Sequence, residues 1–205
     1  MFLFQYKYKL IDFKDILKIK KISKIKKINL LDFGCGDGSW DQKQIIKKIN
    51  SIYLYDKNKD LIPFLKKKYN SRKVFIEFKK NKIFKKKINL IVFSSVIQYM
   101  SDKELNMIFS KISKVYKNKK LYIFINDHPL KHRLIELFAL PFINLKKFLF
   151  SISLIFKIKY LMTRYYSHNI YKKKYIIDNF IIKKMGFIND MKYLRGKFIL
   201  TLKSK

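Results

Sequence analysis

Three of the chain's five glycines fall within five residues, in the stretch "NLLDFGCGDGSW" at residues 29–40. They follow an apolar run directly. Gly34, Gly36 and Gly38 can take left-handed backbone angles closed to other residues, and they let the main chain approach a ligand with no side chain between. A turn of this kind between a strand and a helix offers backbone N–H groups and a helix N-terminus to whatever binds there. The rest of the chain must therefore supply a strand before the turn, a helix after it, and a partner for the ligand.

The surrounding pattern meets that requirement. "INLLDF" reads as a buried strand, "WDQKQIIKKIN" as a short helix, and "SIYLYD" as a second strand ending at Asp56. "KDLIPFLKKKYN" is helical again, with Pro63 where a first turn tolerates it, and "KVFIEF" is a third strand. "INLIVFSS" is apolar on both faces, as a central parallel strand is. "SDKELNMIFSKISKVYKN" follows as a helix with Ser101 capping its start and Glu104 three residues on. "KLYIFIND" is a fifth strand. Upstream, residues 10–28 read as an amphipathic, lysine-rich helix. Towards the C-terminus "GFINDMKYL" and "KFILTLKS" read as two strands joined by a tight turn at Arg195 and Gly196. This alternation predicts an α/β fold with a mostly parallel sheet covered on both faces, closed by an antiparallel hairpin. No repeat of about 20–50 residues and no Gly/Ser/Pro-rich linker divides the chain, so one domain over residues 1–205 is expected.

With 49% hydrophobic and 17% aromatic residues, the chain can build a core and is too apolar for disorder. The single Cys35 excludes an internal disulfide framework and a multi-cysteine zinc centre, and it suits a reducing cytoplasm; no metal is expected. The start, "MFLFQYKYKLIDFKD", carries lysines inside its short apolar run and no small-residue cleavage site, so no secretory signal is expected. The formal net charge of +34 invites a nucleic-acid reading. Yet only Arg72, Arg133, Arg164 and Arg195 are arginines among 48 basic residues. Lysine is a hydrated point charge, whereas phosphate and base recognition favour the planar guanidinium fork. The lysines are also spread along the sequence instead of forming one dense stripe. The excess of Lys, Ile, Asn, Phe and Tyr resembles the drift of an AT-rich genome. Two readings of the charge stand: compositional drift, or a basic surface that attracts phosphorylated substrates and membranes.

Three ligand classes compete for the glycine turn. A P-loop needs a Lys-Ser or Lys-Thr pair after its glycines, and none follows here. A nicotinamide or flavin site prefers G-x-G-x-x-G, whereas the spacing here is G-x-G-x-G after Asp32. "LLDFGCGDGSW" resembles the first motif of class I S-adenosylmethionine-dependent methyltransferases, an acidic residue followed by G-x-G-x-G. Asp56, 24 residues beyond Asp32 at the end of the second strand, is placed where a carboxylate can accept both ribose hydroxyls. "INLIVFSSVIQYMSDKEL" is similar to the family's fourth-strand segment, with Asn89 where an Asp is usual. The terminal hairpin is similar to the antiparallel pair that separates these enzymes from dinucleotide folds. The resemblance covers residues 25–128 and 174–203. It implies a Rossmann-like three-layer sandwich with a seven-stranded sheet and S-adenosylmethionine as cofactor. Asp32, Gly34, Cys35, Gly36, Gly38, Asp56, Ser94 and Ser95 would line the cofactor site. Asp37 is either a turn residue or a contact, and Ser94 and Ser95 either close the pocket or simply end a strand. The acid often found near the adenine has no clear counterpart among Glu77, Lys80 and Asn81, which leaves the main chain and Phe78 to hold the ring.

The acceptor is narrowed by exclusion. "SSVIQY" lacks the [DN]-P-P-[YF] stretch usual in enzymes that methylate nucleobase or amide nitrogen, and Cys35 sits inside the cofactor turn instead of serving as a cytosine nucleophile. Methylation of a small molecule, amphiphilic or saccharide-linked, is expected. An RNA methyltransferase, and a non-catalytic cofactor-binding or membrane-surface protein, are the alternatives. His128 is the candidate general base, with Asp127 orienting it, because an unperturbed imidazole titrates near 6.5. Tyr99, Tyr166 and His168 are candidate acceptor contacts, and for all of these a plain loop role is the competing reading. Residues 129–175 are expected to form a helical cap. Within it, residues 134–161 are read as a lid, as a surface-lying segment on an anionic bilayer, or as a true span. Lys146, Lys147 and Pro141 divide that stretch below the 18 or so apolar residues a span needs. A cytoplasmic protein is expected, with peripheral contact at the inner face of a membrane as its extension.

Overall fold

A computed structural model of the chain describes residues 25–38, 49–94, 96–97, 100–117, 119–127, 172–190 and 195–205. The strands are β1 (Ile28–Phe33), β2 (Ile49–Tyr55), β3 (Val74–Glu77), β4 (Leu90–Ser94), β5 (Tyr122–Asp127), β6 (Phe180–Asp190) and β7 (Arg195–Ser204). Among the described residues the helices are α1 (Leu61–Lys68), the single turn α2 (Lys80–Ile83), α3 (Asp102–Val115) and the single turn α4 (Lys174–Ile177). The strands form one sheet in the order β3-β2-β1-β4-β5-β7-β6. β1 to β5 run parallel to one another, whereas β7 runs antiparallel to both β5 and β6. This is the mostly parallel seven-stranded sheet with a terminal antiparallel pair that the sequence predicts.

Alternation along the strands divides the core between two faces. Leu31, Phe33, Ile91, Phe93, Ile123 and Ile125 pack with α3 through Leu105, Ile108, Phe109 and Ile112. Leu30, Ile52, Leu54, Leu90, Val92 and Phe124 pack on the opposite face with Leu65 and Tyr69 at α1. Burial on both faces explains why β4 reads as continuous apolar sequence.

The start of α3 is the capping box its sequence predicts. Ser101 Oγ accepts the Glu104 N–H at 3.2 Å, and Glu104 Oε2 accepts the Ser101 N–H at 2.8 Å. The Ser101 backbone and side-chain hydrogen bonds hold the Glu104 carboxyl below its usual range. A depressed acid contributes stability that is present above the unfolded pKa and lost as pH falls through the folded value. Ser101→Ala should therefore cost about 1 kcal/mol at neutral pH. Glu104→Gln, which keeps the box but not the charge, should melt below wild type at pH 7, with the gap narrowing at an acid pH where the carboxyl takes up its proton. Thermal denaturation at the two pH values checks both.

Two expectations are corrected. Ile25, Lys26 and Lys27 are not helical, because β1 already begins at Ile28; residues 10–24 lie outside the described residues. The terminal turn is not at Arg195 and Gly196. Asp190 pairs with Arg195 and Asn189 with Gly196, so both residues belong to β7, and residues 191–194 between the two strands lie outside the described residues. The reason is that β5 sets the register of β7, from Tyr122↔Lys203 to Asp127↔Phe198. β6 then extends back to Phe180 along it, through a bulge between Ile182 and Lys184.

Candidate functional site

After Phe33 the chain turns at once through Gly34, Gly36 and Gly38, whose φ angles are +77°, +55° and +62°. L-residues are strained in this region, so each position favours glycine. Two of the positions are also closed by neighbours. A Cβ on Gly34 would stand 2.2 Å from Val96 Cγ2, and one on Gly38 would stand 2.6 Å from Tyr69 Cε2 and 2.7 Å from Leu65 Cδ2. The segment after β4 thus presses on the beginning of the turn, and the end of α1 presses on its far side.

Hydrogen bonds fasten the turn to the end of β2. The Gly34 and Cys35 N–H groups donate to the Tyr55 carbonyl at 2.7 and 3.0 Å. The Gly36 N–H donates to Asp56 Oδ2 at 2.9 Å, and the Asn58 N–H donates to Asp56 Oδ1 at 2.9 Å. The carboxylate expected to close the second strand therefore touches the glycine turn itself. Asn58 Oδ1 accepts the Asp60 N–H at 3.0 Å, leading the chain into α1 through successive Asx turns. The end of α1 returns to the turn: Tyr69 Oη donates to the Gly38 carbonyl, and Lys68 Nζ donates to the Asp37 carbonyl at 3.1 Å. Burial first, and the Asp56 carboxylate second, push the Tyr55 phenol above its usual range, so it stays neutral.

Exposure sorts the predicted residues. Asp32 and Cys35 are fully buried and Ser94 nearly so, whereas Gly34, Gly36 and Asp56 are half-buried at the surface. Asp32 lies on β1 between Leu54 of β2 and Val92 of β4, directly under the turn. Cys35 Sγ–H donates to the Gly36 carbonyl at 3.5 Å, which places the thiol inside the turn. Asp37 is 8% exposed, and its Oδ2 has no hydrogen-bond partner among the described residues. Glu77 ends β3 with Oε1 accepting the Phe78 and Lys79 N–H groups at 3.1 and 2.9 Å, and Phe78 packs half-buried on the Cys35–Leu65–Tyr69 side of the core. Ser95, Tyr99, His128, Tyr166 and His168 lie outside the described residues, as do residues 134–161 and the cap over 129–171. No helix among the described residues is long and apolar enough to cross a membrane. Lys68 and Tyr69 were not identified from the sequence. Lys68 and Tyr69 reach the turn across 31 residues and leave no local signal.

The strand order makes this edge a candidate ligand site. From β1 the chain builds outward through β2 to β3, then crosses over to lay down β4 and β5 on the other side. Open α/β sheets hold ligands at such a reversal, beyond the carboxyl ends of the strands. The glycine turn after β1, Ser94 at the end of β4 and Val96 beyond that strand flank it, with Asp56 one strand away.

Comparison with known proteins points to one architecture. No family model matches the chain, and no curated protein sequence matches it. Solved structures do. An S-adenosylmethionine (SAM)-dependent methyltransferase from Anabaena variabilis superposes with a TM-score of 0.60 at 12% identity, over 87% of this chain and 77% of that one. The magnesium protoporphyrin IX methyltransferase of Synechocystis, solved with bound SAH, gives a TM-score of 0.61 at 14% identity, over 94% of this chain and 81% of that one. A TehB-like SAM-dependent methyltransferase from Corynebacterium glutamicum gives 0.56 at 10% identity, over 90% and 84%. At these identities the likeness is one of fold: a Rossmann-like sandwich with a mixed seven-stranded sheet.

Proposed function

We propose, taking the class I S-adenosylmethionine-dependent methyltransferase fold as premise, that this chain moves a methyl group from S-adenosylmethionine to a small, amphiphilic or saccharide-linked acceptor. The observation that carries this reading is the 2.9 Å hydrogen bond from the Gly36 N–H to Asp56 Oδ2. It joins the glycine turn and the carboxylate of the second strand into one cradle at the strand-order reversal.

The residues present fit the cofactor. Each Asp56 oxygen accepts one backbone N–H, and a carboxylate offers about four lone-pair sites. Both oxygens therefore keep room for a sugar hydroxyl. The Gly34–Gly38 backbone would run beneath the methionine portion, with Asp32 supporting it from below, and Ser94 and Ser95 would close the pocket from β4. Bound S-adenosylmethionine supplies an electrophilic methyl group on a positively charged sulfur. The protein's share is alignment of the acceptor, which can be worth roughly 7–11 kcal/mol. His128, directly after the last residue of β5, would take the proton of an acceptor hydroxyl, with Asp127 orienting the ring. Tyr99, Tyr166 and His168 would contact the acceptor.

Titration calorimetry of the full chain with S-adenosylhomocysteine should show binding heat; its absence overturns the reading. His128→Ala should lower turnover by about 10²–10⁴-fold while leaving cofactor affinity near wild type. Unchanged turnover removes His128 as the base.

A further inference from the structure

Short lysine runs precede three strands that are far apart in sequence: Lys26 and Lys27 before β1, Lys85 to Lys87 before β4, Lys119 and Lys120 before β5. These strands are parallel neighbours in the sheet, so their starts share one edge. Asn89 pins that edge together. Its Nδ2 donates to the Lys27 carbonyl at 2.8 Å, its Oδ1 accepts the Asn29 N–H at 2.9 Å, and its carbonyl accepts the Tyr122 N–H at 2.9 Å. An aspartate could not make the first of these bonds.

Beside the pinned edge lies an open depression of about 1130 Å³, lined by Lys85, Lys86, Lys87, Lys111, Lys119 and Lys120, with no carboxylate among its described lining residues. Its floor is formed by Phe84, Ile88 and Tyr116, each 5% exposed or less. Lys111 Nζ sits 5.4 Å from the Phe84 ring centre and Lys119 Nζ 5.7 Å from that of Tyr116, so the amines stand over an apolar base. The carboxylates of Asp32, Asp37, Asp56 and Glu77 stand where the strands finish, about 17 Å of strand away. The described lining of the depression is therefore cationic throughout its charged positions.

The shape and chemistry select the partner. A bilayer is flat and cannot fill a concave surface. The buried aromatic floor offers no ring face on which bases could stack, and lysines present point charges without the fork that reads base edges. What fits is a flexible chain of phosphates. We propose that the lysine-lined depression at the amino ends of β1, β4 and β5 docks the backbone of single-stranded nucleic acid, independently of sequence and away from the glycine turn.

Fluorescence anisotropy of a labelled 20-nucleotide oligouridine on the full chain tests this. If four to six phosphates are neutralised, log affinity should fall with log salt at a slope of about −3 to −4, or roughly 10²-fold between 50 and 200 mM KCl. The variant Lys85→Glu/Lys87→Glu/Lys119→Glu should bind about 30-fold or more weakly with a slope shallower by about 2. Lys66→Glu/Lys67→Glu/Lys103→Glu makes the same change in net charge on exposed sites elsewhere and should stay close to wild type. The neutral variant Lys85→Gln/Lys87→Gln/Lys119→Gln should show a smaller loss in the same direction. Equal weakening in the two reversal variants would assign binding to overall charge and overturn the proposal. So would a flat salt dependence, or groove reversal that abolishes binding to phosphatidylglycerol vesicles but spares the oligonucleotide.

Discussion

Replacing Gly34 with alanine is expected to destabilise the fold by about 2–5 kcal/mol, the sum of two independent penalties. The first is conformational: at φ +77° an L-residue costs about 1–2 kcal/mol. The second is steric, because the new Cβ would stand 2.2 Å from Val96 Cγ2 and 2.8 Å from Val96 Cβ. Overpacking of this kind costs about 1–3 kcal/mol. The backbone has little freedom to move aside, since the Gly34 N–H is held at 2.7 Å by the Tyr55 carbonyl. In a chain of this size the melting temperature should fall by about 5–15 °C. The double variant Gly34→Ala/Val96→Gly separates the terms. Measured against Val96→Gly alone, Gly34→Ala should then cost only the conformational share, and a double-mutant cycle in urea reads the difference. A melting temperature unchanged by Gly34→Ala would mean that the segment after β4 does not press on the turn.

The second large effect is on binding. Asp56→Ala should weaken S-adenosylhomocysteine by about 10²–10⁴-fold, because two hydrogen bonds to a charged group are worth about 1.5–3 kcal/mol each and every 1.4 kcal/mol is tenfold. The same substitution releases the Gly36 and Asn58 N–H groups, but Gly36 is half-buried and water can replace its partner. The stability loss should therefore be small, about 1–2 kcal/mol. Asp56→Asn should fall between, since it keeps one acceptor oxygen but sets an amide donor against a backbone donor. Calorimetry and thermal denaturation on the same samples separate the outcomes. Lost affinity with little lost stability identifies a sugar-binding carboxylate. Lost stability with intact affinity reduces Asp56 to a clasp on the turn and removes its part in the proposed function.

Much of the candidate site is legible in the sequence. Glycine at three alternate positions after an apolar run has few meanings, and all three φ angles are positive. Asp56 was identified from its place at a strand end, and Ser101 with Glu104 from the spacing of a capping box. Each of these is a local property: the residues that carry the signal lie within a few positions of the structure they make. The terminal turn was misplaced for the opposite reason. Gly196 reads as a turn residue in its own neighbourhood, but β7 takes its register from β5, more than 70 residues earlier.

Periodicity and glycine spacing alone determined that this chain forms a mostly parallel sheet with a left-handed glycine turn after its first strand, since both follow from backbone sterics and the burial of alternate side chains. Strand order decided the rest. It set Val96 and Tyr69 against the glycines and brought Asp56 within hydrogen-bond reach of Gly36. It also gathered lysines that look dispersed along the sequence into one depression at the sheet's amino edge. Contacts between residues dozens of positions apart depend on which strands lie side by side, and no short stretch of sequence records that.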